Sequence, residues 1–161
     1  MKDKIRRVFL ITAIGRRDGV HHNVTRLPFR GGNTHLRNLC GRKIIARAHN
    51  LKEIKCDTTE HAEINVIKKA SKKLGSWRLT ACEMYVTLEP CSMCAGALIQ
   101  SRIDKLYIGT MDDKTGACGS VLDLLGDYKF NHIIEMKKGI CKEECRKILK
   151  DFFKELRKNK K

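Results

Sequence analysis

The chain reads Tyr85-Val86-Thr87-Leu88-Glu89-Pro90-Cys91-Ser92-Met93-Cys94 near its centre, and its periodicity changes at the proline. Glu83–Leu88 alternates in the manner of a β-strand, whereas the apolar, small-residue segment Cys91–Ser101 is typical of a helix. A strand that leads directly into a helix is a repeating unit of α/β folds. Because the two cysteines are three residues apart, they share one face of the predicted helix, and both sulfur atoms can reach the same ion.

A second motif, His61-Ala62-Glu63, lies upstream and opens the helix predicted over His61–Leu74, whose apolar residues recur at helical spacing. Both motifs fall at predicted helix starts, where free N–H groups and the helix dipole favour ionised thiolates. One imidazole and two thiolates leave the fourth tetrahedral position of Zn²⁺ open, which is a catalytic rather than a structural arrangement. We therefore predict one Zn²⁺ per chain, held by His61, Cys91 and Cys94.

Glu63 is not needed as a ligand in this site. Two residues beyond His61, it can lie beside the open position and move protons between water, the substrate ring and the leaving amine. The order H-x-E followed by P-C-x-x-C is the pattern of zinc nucleobase deaminases. The sequence thus predicts hydrolytic deamination of a nucleobase, with Glu63 as the catalytic acid–base group.

Each half of this pattern has other interpretations when it stands alone. An isolated C-x-x-C is more often a structural zinc or redox motif, and a closed structural site would need a fourth ligand such as His49 or Cys82. Neither residue has paired ligand spacing, and each lies next to a predicted strand. Thioredoxin-like chemistry gives His61 and Glu63 no role. The open, catalytic site is therefore the favoured interpretation.

Strands and helices alternate along residues 43–161. Besides the elements above, strands are predicted at Lys43–Ala48, Lys105–Gly109 and Ile133–Met136. Helices are predicted at Val121–Leu125 and from about Lys142 to Lys158, the latter with an inward set of Cys145, Ile148, Leu149, Phe152 and Phe153. The alternation predicts a layered α/β fold with helices on both faces of the sheet.

Residues 1–42 differ from the rest of the chain in composition. They hold eight Arg, two Lys and no Glu, whereas residues 43–161 hold nineteen Lys, five Arg and sixteen acidic residues. Glycine, proline and histidine interrupt every candidate helix, and only Arg7–Ile14 resembles a strand. We therefore divide the chain into an atypical N-terminal segment, residues 1–42, and a zinc-site domain, residues 43–161.

The net charge is +16, from thirty-four Lys and Arg against eighteen Asp and Glu. Such an excess favours a polyanionic partner, nucleic acid above all, over a basic surface that is only solvated. The eight cysteines lack the regular spacing of a disulfide framework, and they suit metal binding and buried thiols in a reducing cytosol. No stretch approaches the roughly 18 apolar residues of a membrane span, so we predict a cytoplasmic protein with no membrane partner.

Residues 43–161 resemble the bacterial tRNA-specific adenosine deaminases of the cytidine deaminase-like superfamily. The matching stretches are His61-Ala62-Glu63-Ile64, residues 85–97, Ser101-Arg102-Ile103, Asp113-Lys114-Thr115-Gly116-Ala117 and Asp151-Phe152-Phe153. The resemblance implies a three-layer α/β/α fold with a mixed central sheet. It also implies conversion of adenosine to inosine at the wobble position of a tRNA anticodon, by a homodimer that contacts the anticodon stem-loop.

The resemblance assigns substrate contacts to three regions of the chain. The matched residues are Asn50, Asp112, Asp113, Lys114, Phe153 and Arg157. Asn50 would contact the flipped base, although a role as a turn residue at the end of a strand explains an asparagine at this position nearly as well. The Asp-Asp-Lys loop would contact anticodon nucleotides, with a solvated turn as the alternative. Phe153 and Arg157 of the last helix would flank the anticodon loop, and the alternative interpretation of this segment is a frayed basic tail. Because neighbouring helix positions diverge, either Phe152 or Phe153 is expected to be exposed.

The first 42 residues depart from the family, whose N-terminal helix and first strand are missing or altered here. Gly31–Arg42 can be encoded by codons whose next frame reads like the missing strand, so a frameshift is the suspected cause. Two other functions stay open. One is a small-molecule deaminase of the same fold, acting on guanine, cytosine or cytidine, and the other is an inactive zinc-binding remnant. The basic charge favours the tRNA enzyme, because a free base needs no basic surface.

Overall fold

The computed structural model describes residues 7–11, 43–127 and 129–158. The strands are β1 (Arg7–Ile11), β2 (Lys43–Ala48), β3 (Cys82–Leu88), β4 (Lys105–Thr110) and β5 (Glu135–Lys138). The helices are α1 (Lys52–Lys55), α2 (Ala62–Leu74), α3 (Ser92–Gln100) and α4 (Lys142–Lys158). This alternation confirms the predicted α/β class.

The strands form one sheet in the order β2-β1-β3-β4-β5, and every described strand pair is parallel. In this respect the sheet differs from the mixed sheet that the family resemblance implied. Parallel neighbours need a connection of about a dozen or more residues, and Ile11 and Lys43, where β1 ends and β2 begins, are far enough apart in sequence to allow one. An antiparallel pair would be joined more simply by a short hairpin.

The strand that the sequence predicted near the N-terminus is described as β1, and the expected loss or alteration of the family's first strand stays a prediction. Strand β1 pairs with β2 on one side and with β3 on the other, so that Arg7 is opposite both Lys43 and Cys82. The predicted strand Arg7–Ile14 is described over Arg7–Ile11. The expected absence of an N-terminal helix, and the frameshift suspected within Gly31–Arg42, lie outside the described residues. The domain division at residue 42 stays a prediction.

Side-chain alternation along the strands gives the sheet two different faces. On one face, Met84, Leu106 and Ile108 join the buried core cluster together with Val66 of α2 and Leu98 of α3. On the other face, Tyr85 and Tyr107 stack with ring centroids 4.3 Å apart. Two helices therefore cover the first face, and the second is left for α4.

Helix α4 approaches the second face closely at Gly109. A Cβ atom at this position would overlap Cys145 Sγ of α4, so only glycine lets the helix lie against β4 and β3 here. Cys145 is buried as predicted, whereas Phe153, predicted inward, has 51% of its surface exposed. Neighbouring positions on a helix diverge by about 100°, so Phe152 and Phe153 cannot both pack inward. The three α/β/α layers predicted from the sequence are confirmed.

Two predicted elements differ in the structure, and one helix is additional. Val121–Leu125 forms turns instead of a helix, because Gly119 N–H donates to Leu122 O at 2.8 Å and the Asp123 side chain accepts from Gly126 N–H. Helix α1 was not predicted. Strand β5 begins two residues later than expected, which leaves Ile133 exposed. None of the helices within the described ranges is long and apolar enough to cross a membrane.

Candidate metal centre

The carboxyl ends of parallel strands meet at one edge of a sheet, and this edge collects most of the predicted site residues. Strand β2 ends two residues before Asn50, β3 ends three residues before Cys91, and β4 ends two residues before Asp112. Because β3 and β4 pair directly, the segments that follow them are neighbours. The fold therefore brings the C-x-x-C motif and the Asp-Asp-Lys loop to the same edge.

His61 and Cys91 occupy equivalent positions at this edge. Each is the N-cap residue of its helix, with an extended backbone of φ −69° and ψ 154° for His61 and φ −72° and ψ 174° for Cys91. Cys94 lies in the first turn of α3. Both helices thus start at the cluster and direct their unpaired N–H groups and positive dipole ends towards it, which stabilises negative charge on sulfur.

The loop before α2 fixes the approach of His61. Leu51 N–H donates to Glu60 O at 2.9 Å and closes the loop, while the Glu60 carboxylate pairs with Lys55 at 3.2 Å and with Lys68 at 3.5 Å. The Asn65 side chain also donates to Glu60 O at 3.2 Å. These contacts tie the loop to the first turns of α2 and hold the imidazole at the cluster.

The geometry of the cluster fits a zinc ion. Nδ1 of His61 lies 3.6 Å from Sγ of Cys91 and 3.6 Å from Sγ of Cys94, and the three ligand atoms are all within 4.8 Å of one another. A tetrahedral ion with Zn–N of about 2.05 Å and Zn–S of about 2.3 Å places its nitrogen and sulfur ligands about 3.6 Å apart. The two nitrogen–sulfur separations match this spacing.

The pKa values of the two thiols are shifted in opposite directions. A hydrogen bond from the Cys94 thiol lowers the pKa of Cys91 to about 5, helped by the Cys94 backbone N–H and by His61, and against the opposing effect of burial. The same hydrogen bond raises the pKa of Cys94 far above its usual range, together with burial and the nearby Glu63. A cation between the sulfurs would take the place of the proton in this hydrogen bond, so the donor set suits a metal that prefers thiolates.

Neither His49 nor Cys82 belongs to the cluster, and over residues 7–11, 43–127 and 129–158 no other three His, Cys, Asp or Glu side chains converge in this way. Among the described residues the group has three ligand atoms, which is the number that the open interpretation of the sequence requires.

Glu63 lies in the first turn of α2 with only 6% of its surface exposed. Burial raises the pKa of its carboxyl group, while its own backbone N–H, His61 and a hydrogen bond with Cys94 act in the opposite direction. The carboxyl group therefore faces the cluster. A buried carboxyl group beside a metal centre is well placed to exchange protons with a reacting molecule.

The other predicted residues at this edge shape their own loops. Asn50 Oδ1 accepts a hydrogen bond from Lys52 N–H at 2.8 Å. The two carboxylate oxygens of Asp112 accept from Lys114 N–H at 3.0 Å and from Thr115 Oγ1 at 2.7 Å. Asp112 thus fixes the turn on which Asp113 and Lys114 are placed. These contacts agree with the turn-residue interpretation of Asn50 and Asp112 and leave Asp113 and Lys114 as the outward groups.

Phe153 and Arg157 lie apart from the cluster along α4. Cys145 packs at Gly109, near the carboxyl edge, and the two residues follow about two and three helical turns further along. Both are exposed. The structure therefore presents them on the outside of α4 and does not bring them to the metal ligands of the same chain.

One buried group at the site was missed in the sequence. Glu89, two residues before Cys91, is 3% exposed, and its carboxylate accepts four hydrogen bonds from the segment that follows β4. The available signal was an acidic residue directly between an apolar strand and the proline of the P-C-x-x-C motif. Nothing in the local pattern identified its partners, which lie more than twenty residues away in sequence.

Comparison with known proteins gives consistent matches. The family described as MafB19-like deaminase matches residues 38–157. The tRNA-specific adenosine deaminase of Bacillus subtilis (strain 168) is 50% identical over 119 residues, covering 74% of this chain and 74% of the relative. The tRNA-specific adenosine deaminase of Haemophilus influenzae is 45% identical over 120 residues, covering 74% of this chain and 69% of the relative.

A solved structure gives the same match at the level of the fold. It comes from a study of A-to-I editing by tRNA:A34 deaminases at the wobble position of transfer RNA. The two chains are 40% identical with a TM-score of 0.63, and the match covers 66% of this chain and 77% of the other. The family match spans His61, Glu63, Cys91 and Cys94.

Proposed function

The chain belongs to the MafB19-like deaminases and to the family of tRNA-specific adenosine deaminases, and on that premise we propose that it converts adenosine to inosine at the wobble position of a tRNA anticodon. The observation that carries this proposal is the three-ligand cluster with a buried carboxyl group, Glu63, facing it. The reaction consumes one water and releases the exocyclic amine as ammonia.

Each residue of the cluster receives a role in this proposal. His61, Cys91 and Cys94 would hold one Zn²⁺, which when bound lowers the pKa of a coordinated water to about 7. Glu63 takes a proton from the attacking water and passes protons to the ring nitrogen and to the departing amine. Its position in the first turn of α2, fixed by the same helix start as His61, keeps the carboxyl group in reach of the reacting atoms.

The surrounding loops supply the substrate contacts. Asn50 would contact the flipped base, and the Asp112–Lys114 turn would contact neighbouring anticodon nucleotides through Asp113 and Lys114. Asp112 itself acts by holding the turn. Phe153 and Arg157 supply an exposed aromatic ring and a cation, a pair suited to stacking on a base and contacting a phosphate.

The proposal also includes a homodimer located in the cytoplasm, and a zinc-site domain that begins at residue 43. Phe153 and Arg157 lie about two and three turns away from the cluster-side end of α4. A second copy of the chain could therefore bring them to an anticodon bound at the other cluster. Light scattering on the purified protein measures whether the particle has twice the mass of the chain.

The substrate assignment predicts a sharp selectivity. An anticodon stem-loop with adenosine at the wobble position is expected to be converted to inosine, with little or no turnover of free adenine, adenosine, cytidine or guanine. The reason is that contacts outside the pocket position the base, so a truncated substrate loses turnover as well as affinity. The measurement is nucleoside analysis of digested RNA after incubation with the zinc-loaded protein.

The matched control is the same stem-loop with its only unpaired adenosine moved one position away from the wobble site, which should remain unconverted. Rapid deamination of free guanine or cytidine, with the wobble stem-loop untouched, would replace the tRNA assignment by a small-molecule deaminase. Bound zinc without turnover of any of these substrates would identify an inactive remnant.

RNA binding is expected to be electrostatic and to involve α4. Replacing Lys154 and Arg157 with alanine should weaken stem-loop binding and reduce the slope of log K against log salt by about 0.7–0.9 for each phosphate that α4 no longer neutralises. Lys72 and Lys73 provide the control, since they lie at the far end of α2 from the cluster, and their replacement should leave the slope unchanged. An unchanged slope in the α4 variant would mean that this helix does not meet phosphate.

A further inference from the structure

The carboxylate of Glu89 connects two parts of the candidate active site. Its Oε2 accepts from Asp112 N–H at 2.9 Å, and its Oε1 accepts from Cys118 N–H at 2.8 Å and from Ser120 N–H at 3.1 Å. The Ser120 hydroxyl donates a further hydrogen bond to Oε2. One buried side chain thus binds both ends of the segment Asp112–Ser120, which we call the clamp loop.

The clamp loop is also held directly against the metal-ligating turn. Ala117 N–H donates to Pro90 O at 2.9 Å, and Gly116 forms an antiparallel bridge with Cys91. A Cβ atom on Gly116 would overlap the Glu89 carboxylate, so glycine is needed for this close approach. The chain therefore places the loop, Glu89 and a predicted zinc ligand in one connected unit.

The four donor groups around Glu89 need an acceptor that carries no hydrogen of its own, and a carboxylate is such a group. Burying a charged carboxylate is costly unless hydrogen bonds compensate it, and bonds to an ionised acceptor are stronger than neutral ones. A glutamine would place its NH₂ group against at least one backbone N–H and leave that buried donor unsatisfied.

We propose that Glu89 is a positioning residue: it sets the clamp loop against the Cys91 turn and so fixes Asp113 and Lys114, the residues proposed to contact RNA, relative to the metal cluster. This inference rests on the proposed function for the identity of the substrate. Glu89 is not a member of the ligand cluster, and it acts through the hydrogen bonds that it accepts from the backbone of the loop.

The test is Glu89→Gln in the full, zinc-loaded protein. We expect about one zinc per chain, a KM for the stem-loop raised about tenfold or more, and a smaller change in kcat, because the loop positions RNA and leaves the cluster intact. A second readout is independent of activity: amide hydrogen exchange at Asp112, Cys118 and Ser120 should become at least about tenfold faster.

Two further variants complete the design. Glu83 lies on strand β3 and is as buried as Glu89, but its side chain is on the face of the sheet that α4 covers. Glu83→Gln should therefore leave KM and these exchange rates unchanged. Ser120→Ala removes one of the four donor groups and, should Glu89→Gln not fold, is expected to raise KM in the same direction by a smaller factor.

The two proposals fail in distinguishable ways. A wild-type protein without turnover of the stem-loop would overturn the proposed function, whereas the exchange rates would still report whether Glu89 holds the loop. Unchanged exchange and unchanged KM in both Glu89→Gln and Ser120→Ala would overturn the positioning role. Loss of zinc as the main effect of Glu89→Gln would also overturn it, because Glu89 would then support the metal site and not the loop.

Discussion

Cys91→Ala is expected to purify without zinc and to have no measurable deaminase activity. The three ligand atoms lie within 4.8 Å of one another, and no His, Cys, Asp or Glu elsewhere in the described part of the chain completes the group. Removing one of two thiolates leaves a single sulfur and an imidazole, which is too few protein ligands for a stable zinc site. The measurement is metal content by atomic absorption alongside the stem-loop assay.

Cys141→Ala is the matched control for this experiment. Cys141 is also a half-buried free thiol, but it lies at the start of α4 outside the cluster, so its removal should leave one zinc per chain and full activity. Circular dichroism of both variants separates loss of metal from loss of fold. Full zinc occupancy in Cys91→Ala would mean that Cys91 is not a ligand and that the site has been misassigned.

The metal cluster could be predicted from the sequence because the patterns that define it, the two helix starts and the cysteine spacing, are local. His61 and Cys91 each precede a helix with clear apolar spacing, and the three-residue interval places Cys94 on the same side as Cys91. The remaining distance between the two motifs is set by the parallel sheet, which brings strand ends to one edge whatever their separation in sequence. The bounds of α4 were predictable for the same reason, since apolar residues recur at helical spacing from Cys145 to Leu156 within this helix of 17 residues.

The turns at residues 121–125 and the place of the first strand in the sheet could not be predicted in this way. The apolar run Val121–Leu125 suggested a helix, but the segment just before it is bound by Glu89, whose carboxylate takes the N–H groups of Cys118 and Ser120. This is a tertiary contact, and such contacts override weak local propensity. The place of β1 between β2 and β3 is likewise a matter of long-range pairing, which no single segment specifies.

Glu63→Gln is expected to lower deamination by about 100-fold or more while keeping one zinc per chain and normal binding of the stem-loop. Glutamine preserves the volume of the buried side chain in the first turn of α2, so the helix start that presents His61 should persist. What it removes is the group that accepts a proton from water and returns protons to the ring nitrogen and the leaving amine.

The separation of binding from turnover is what distinguishes this role from the others at the site. Removing a metal ligand abolishes zinc binding and activity together, and displacing the clamp loop changes KM more than kcat. Removing the proton carrier lowers kcat, while KM and the zinc content change little. Glu83→Gln, which removes a buried carboxyl group on the opposite face of the sheet, serves as the control and should retain wild-type turnover. Zinc lost from Glu63→Gln would make Glu63 a ligand, and wild-type turnover with zinc retained would move the proton transfer to another group.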